Sequence, residues 1–540
     1  MFVFLSIRLR YSVLLVLLSL INLNAKTVRV RSLNELKANS STVDCRFVIK
    51  SDIDLEGSII EFAPKSVLVF RNGSLLNGTL VGNHTVLKST MNNIFNDCII
   101  KGVWQAKYAS STMFTNNMET MLLLCNMTTL SSELKLHSSR EYYIQAKDDK
   151  IQANVIEGIG NERPIIKIHT ADPNVSGLNI LGNSILLKNL IIEDDYSILN
   201  DGIYGENNTF IGSTISIIAL DRYVQSLIIQ GCEFRGGTSS SYLASSQVKN
   251  CSIVDSKFSG YISDHAVYCS MSVESYSVSN CIIQDVTHGN GLFKVRTSKN
   301  LRSFCMKDVF ASNLNGYMVE VALQNTPLAN LSFDNITVTK DNGDESVFYG
   351  FCIVDETRNI VGSGDSYNAN SIVFNNCKFD YGYNNNAFVY QGSAKRACVR
   401  SIIYSNVNAT GSHFGGGNAD RVLIKNCRFD DFYGPQGIDI QTTILHIDNA
   451  ILYEDNSERE ANCLFLVNYY DRQLKLLSLK GVEAHLNAKY LLNIIKGDNV
   501  DLSLTNCNIS VLSSDIYKAP NLSRINLSQK RNTISFTKSN

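Results

Sequence analysis

One short phrase returns along most of this chain, and it limits the fold more than any other feature. An apolar run leads into a turn, and a second short β-type pair follows. The copies are LIIQGCEF (227–234), SIVDSKF (252–258), YSVSNCII (276–283), FCMKDVF (304–310), LSFDNITV (331–338), IVFNNCKF (372–379), IIYSNVN (402–408), VLIKNCRF (422–429), LLSLKGVE (476–483) and LSLTNCNI (502–509), with LLKNLII (186–192) as an earlier one. Counted from the residue after each turn, Cys232, Ser256, Cys281, Asp308 and Ile336 lie 24, 25, 27 and 28 residues apart. Cys377, Val407 and Cys427 continue at 41, 30 and 20. The interval of 41, and the one of about 55 after Cys427, are read as hiding a degenerate copy or a loop.

Each phrase is too short to bury its own apolar face, so copies must stack to build one continuous core. Inside a unit the apolar residues alternate, as at Val422 and Ile424, which fits strands with one face inward. A helical period of 3.6 is absent, and propeller blades need roughly 40 to 50 residues each. The expectation is an all-β chain folded as a right-handed parallel β-helix, a solenoid with irregular end caps and one coil per repeat. The turn Asn tolerates left-handed backbone, and its amide is placed to bond the Asn of the next coil.

Residues 1–25 read as a secretory signal. Arg8 and Arg10 precede a short apolar run, Val13 to Ile21, and Ala25 supplies the small residue before cleavage at Lys26. An N-terminal membrane anchor is the alternative, but the run is shorter than the roughly 20 residues a span needs. The expected location is secreted, periplasmic or cell-surface, not membrane-spanning after signal removal. An even count of 14 cysteines in an exported chain suggests disulfides. The spacing argues for buried reduced thiols instead. Cys232, Cys281, Cys377, Cys427 and Cys507 all stand one step after a turn Asn or Gly. A disulfide at some pair remains the other reading. With 49 basic and 50 acidic residues there is no global field for nucleic acid.

Residues 26–110 are read as N-terminal strands and cap, 111–510 as coils, and 511–540 as a C-terminal cap. In the N-terminal part, Gly and Asn-Gly pairs are expected to break short strands with turns. METMLLLCNM is read as a short capping or inserted helix. The phrase DIDLEGSIIEFAPKSVLVFRNGSLLNGTL resembles the opening of secreted right-handed β-helix proteins of Bacteroidetes-type bacteria, within the pectate-lyase-like superfamily. The resemblance implies action on uronic-acid polysaccharides in a groove on the outer face, by a lyase or glycosidase; lyases of this kind often use Ca²⁺ held by acidic clusters, and the sequence itself names no cofactor. A non-catalytic glycan-binding or adhesin-like surface protein is the alternative. The polygalacturonase set (Asn-Thr-Asp, Asp-Asp, Gly-His-Gly, Arg-Ile-Lys) is absent as a set. So is the proline- and arginine-containing phrase of the best-known pectate lyases. Asp194-Asp195 and Asp430-Asp431 are adjacent pairs, which a strand points to opposite faces.

The stretch 260–322 carries the candidate chemistry. Aligned copies put Tyr268, Lys294 and Glu320 at equal intervals of 26. If Val267, Phe293 and Val295 face inward, those three form one outward strip on successive coils. Asp264, His265, His288 and Arg296 flank it. Lys294, His265, Asp264 and Glu320 are the catalytic candidates. Arg296, Tyr268 and His288 are the substrate-binding ones. An acid, a base, cations and an aromatic ring are what a polysaccharide groove needs. The plainer reading is a solvated cross-strand salt bridge between Lys294 and Glu320, with the histidines and Asp264 serving turns.

Overall fold

The computed structural model describes residues 26–536, except for 116–132, 146–149, 170–177, 195–215, 221–222, 237–240, 262–264, 288–291, 324–327, 341–347, 356–368, 381–388, 391–398, 412–413, 415–418, 432–436, 455–459, 469–472, 497–498, 520–524 and the single residues 139, 246, 271 and 299. The expected signal segment, the METMLLLCNM helix, Asp195, Asp264 and His288 lie outside the described residues. The chain divides into two compact units. One holds residues 1–144, 149–166 and 180–182; the other holds 145–148, 167–179 and 183–540.

In the first unit, Thr27–Val30, Arg46–Ile49 and Val67–Phe70 pair in parallel, and Val67–Phe70 pairs with Leu75–Lys88. A helix, Leu33–Ser40, stands between the first two strands. Ser32 Oγ accepts from the Glu35 backbone N–H at 3.3 Å, and Glu35 returns the bond to the Arg31 N–H at 2.7 Å. The Ser32 bond satisfies one donor that a helix start leaves open, and the Glu35 bond ties down the residue before the cap. Asn77-Gly78 is not a turn between separate strands. It lies inside Leu75–Lys88, with Asn77 at φ 52° and its amide donating to Asp54 at 3.3 Å. The strand keeps parallel neighbours on both sides of that point, so the left-handed residue bends it without reversing it. Phe47, Phe62 and Trp104 fill the interior edge to face, at 5.5 and 5.9 Å between ring centroids.

The second unit is a parallel β-helix. Coils contribute two strand segments flanking a corner that holds one left-handed residue, and most of the described ones add a segment on a further wall. In one coil these are Val224–Gln230, Glu233–Gly236 and Ser241–Ser245. The left-handed residue repeats in register from coil to coil: Asn189, Gly231, Asp255, Asn280, Asp308, Asn335, Asn376, Asn406, Asn426, Asn449, Gly481, Asn506 and Arg531, all with φ between 50° and 63°. The expected amide ladder is present. Asn280 donates to Asp255 at 2.7 Å, Asn335 to Asp308 at 2.7 Å, Asn406 to Asn376 at 3.0 Å and Asn426 to Asn406 at 3.3 Å. Gly231 and Gly481 take the place of Asn where a Cβ would stand 2.6 and 2.5 Å from the amide oxygens of Asn189 and Asn449 in the coil before.

The row one step later points into the core. Cys232, Cys281, Cys377, Cys427 and Cys507 are buried there, interspersed with Val309, Ile336, Val407 and Val482. Each of these thiols reaches the carbonyl two residues back, at 3.2 to 3.5 Å. Ser256 makes the same bond with its hydroxyl, to Val254 at 2.8 Å. Burial pushes the thiols up, to about 11 for Cys281 and Cys427 and about 12 for Cys377. The twelve cysteines among the described residues form no disulfide.

One detail of the repeat is corrected, and the two irregular intervals resolve into a loop and a degenerate copy, the two forms expected of them. Asp308 is itself the left-handed residue, and Val309 is the inward one opposite Cys281. The interval of 41 is one coil with a longer excursion, since Asp334 pairs with Asn375 and Thr337 with Lys378. The interval after Cys427 contains a degenerate copy: Thr442–Asp448 and Ile451–Tyr453 flank Asn449, and Ala450 holds the thiol's position. Aromatic rings add a second interior column. Tyr276 stacks on Phe304 at 5.2 Å, and Phe333, Phe374 and Tyr404 stack at 4.6 and 5.4 Å.

Candidate functional site

The strip named from spacing lies on the further wall, whose strands include His265–Ser270, Phe293–Ser298, Gly316–Leu323 and Phe348–Asp355. Tyr268 pairs with Lys294, and Lys294 with Glu320. Val267, Phe293 and Val295 are fully buried, which leaves the alternate residues facing outward.

Lys294 Nζ lies 2.9 Å from Glu320 Oε1, and the side chains are only 14% and 16% exposed. The pair is therefore largely shielded from water, in contrast to the solvated bridge that spacing alone allows. On its other side Lys294 Nζ stands 5.5 Å from the centre of the Tyr268 ring, within cation–π range. His265 opens the same strand, 1% exposed, with its ring 5.4 Å from that of Tyr268. It belongs to the wall under the strip, not to a turn beside it. Arg296 is exposed and sits two residues beyond Lys294, on the row that holds Ser270 and Ala322.

Two features escape the spacing. Cys352 continues the row, opposite Glu320, and is nearly buried. Burial pushes its thiol up to about 12; the Glu320 charge adds to this, and the Lys294 charge opposes it. Tyr317 and Tyr349 form a half-exposed pair of rings 5.6 Å apart on the same two strands. The 32-residue step from Glu320 to Cys352, and register shifts at Gly316 and Tyr317, hide both from a fixed interval.

A Ca²⁺ site needs several convergent oxygen ligands. Among the described residues no three His, Cys, Asp or Glu side chains converge. The described part of the strip offers one carboxylate, already paired with Lys294, and does not fit such an ion. Among the described residues no helix is long and apolar enough to cross a membrane. No family model matches the chain, and no curated protein matches it.

Proposed function

We propose that this chain binds a complex polysaccharide along the outer strip formed by Tyr268, Lys294 and Glu320. One observation carries the reading: an ammonium 2.9 Å from a carboxylate and 5.5 Å from an aromatic ring, on three consecutive coils of an outer wall. The ring offers a stacking face for a sugar, and the paired charges offer a donor and an acceptor side by side. The resemblance of the N-terminal phrase to secreted pectate-lyase-like proteins supports a polysaccharide as the partner. The apolar leader at 13–21 supports export to the periplasm, the cell surface or the medium. Binding is favoured over catalysis because His265 is buried and Lys294 is closed on Glu320.

The second reading is a lyase or glycoside hydrolase. The contact between Lys294 and Glu320 favours it, since such a pair can pass a proton. One experiment separates the two. The purified mature chain is run through gels containing pectin, alginate, glycosaminoglycans or neutral glucans, and the same mixtures are followed for unsaturated ends and reducing ends. Retardation without product supports binding, and product supports catalysis. A lack of both, for every glycan, overturns the proposal.

A further inference from the structure

Resting on that reading, we infer that the strip takes an uncharged sugar ring presenting two adjacent hydroxyls, and not a uronate carboxylate. Lys294 already has its counter-charge at 2.9 Å, so the pair carries no net charge toward a ligand. A carboxylate arriving at Lys294 would displace Glu320 or lie against it, and like charges in a shielded site repel strongly.

A vicinal diol meets the opposite situation. One hydroxyl accepts from an ammonium hydrogen that Glu320 does not use, and its neighbour donates to the carboxylate. Neither charge has to give up its partner. Tyr268 on the Lys294 side supplies an apolar ring for the C–H face of the same sugar. At the Glu320 side the row closes on Cys352, a small side chain that adds no cation. Arg296, the other cation on this strand, stands on the neighbouring row, out of register with Glu320. The chain as a whole carries a formal charge of −1, which adds no attraction for a polyanion.

The test is affinity electrophoresis of the full mature chain in gels holding a neutral polysaccharide (a glucan or a galactomannan) or an acidic one (polygalacturonate, alginate or hyaluronate), at low and high salt. The expected result is retardation by a neutral polymer only, insensitive to salt. Tyr268→Ala and Glu320→Gln weaken it about tenfold or more, the loss of roughly one good contact. Tyr268→Phe, which keeps the ring, recovers most of what Tyr268→Ala loses, and Arg428→Gln, on a different wall, leaves retardation unchanged. Glu320→Gln also gains affinity for the acidic polymers, because it releases Lys294. Near-ultraviolet circular dichroism and melting curves establish that each variant is folded, and the isosteric Gln and Phe variants keep the test decisive if Tyr268→Ala is not. Salt-sensitive retention of the wild type by acidic polymers alone overturns this inference and leaves the polysaccharide reading standing. Neutral retention that no variant alters overturns the assignment to the strip. Retention by no glycan at all overturns both.

Discussion

Lys294 and Glu320 face each other on adjacent coils, Nζ to Oε1 at 2.9 Å, with both side chains more than four-fifths covered. Removing one partner leaves the other charge shielded and unpaired, whereas removing both leaves only a repacking problem. Lys294→Met and Glu320→Leu alone should each cost about 1–3 kcal/mol, and the double variant should recover most of that loss. Urea unfolding of the four proteins in a double-mutant cycle checks this. Simple additivity would show that the pair is energetically idle.

The left-handed row sets a second expectation. Asn406 has φ 55°, donates to Asn376 and accepts from Asn426. Asn406→Gly keeps the backbone and loses the two amide bonds. Asn406→Val loses those bonds and also forces a branched side chain into left-handed space, at a further cost of about 1–2 kcal/mol. Chemical denaturation should therefore rank wild type above Gly, and Gly above Val. A Val variant as stable as the Gly one would contradict the strain argument.

Alkali should unfold the second unit earlier than its fold class requires. Cys281, Cys377 and Cys427 are held at about 11, 12 and 11, above their ordinary 9.0, chiefly by burial. The unfolded chain gives up these protons first, so stability is full below pH 9 and falls as pH rises from there through the folded values. Each such thiol contributes a slope approaching about 1.4 kcal/mol per pH unit in that window. Urea midpoints from pH 8 to 11 measure it, and Cys427→Ala should flatten the curve. Alkylation at pH 8 should leave these three thiols unlabelled until urea is added.

The aromatic column predicts a position of high cost. Phe374 is fully buried, with its ring centroid 4.6 Å from that of Phe333 and 5.4 Å from that of Tyr404. Phe374→Ala should lose about 3–5 kcal/mol, and Phe374→Leu markedly less. Equal losses would mean the rings do not pack as a column.

Much of this was legible because a coil repeats its pattern at almost the same spacing. The run from Cys232 to Ile336 revealed the coil length, and a 26-residue step placed Tyr268, Lys294 and Glu320 on one row. The copy around Asn449 was hidden because Ala450 replaces the cysteine and His446 occupies an outward position. Asp308 was displaced by one residue because Asp and Asn serve the left-handed corner equally well. Cys352 was hidden by the longer step from Glu320, and the Tyr317–Tyr349 pair by register shifts that leave composition unaltered. The shielding of Lys294, Glu320 and His265 depends on neighbours far apart in sequence, which no local spacing encodes. The Leu33–Ser40 helix had a signal that went unused: Ser32 followed three residues later by Glu35.

The row from Asn376 through Asn406 to Asn426 carries a consequence for how such a chain can change. Asn406 and Asn426 occupy equivalent corners, and what lies between them amounts to one complete turn of the path. Excising residues 407–426 joins Asn406 to Cys427 and offers Asn406 a new neighbour of the same kind, Asn449. Duplicating that segment does the reverse. This protein can therefore lengthen or shorten in whole increments, each edit sealing itself, while its outer walls vary independently of the register beneath.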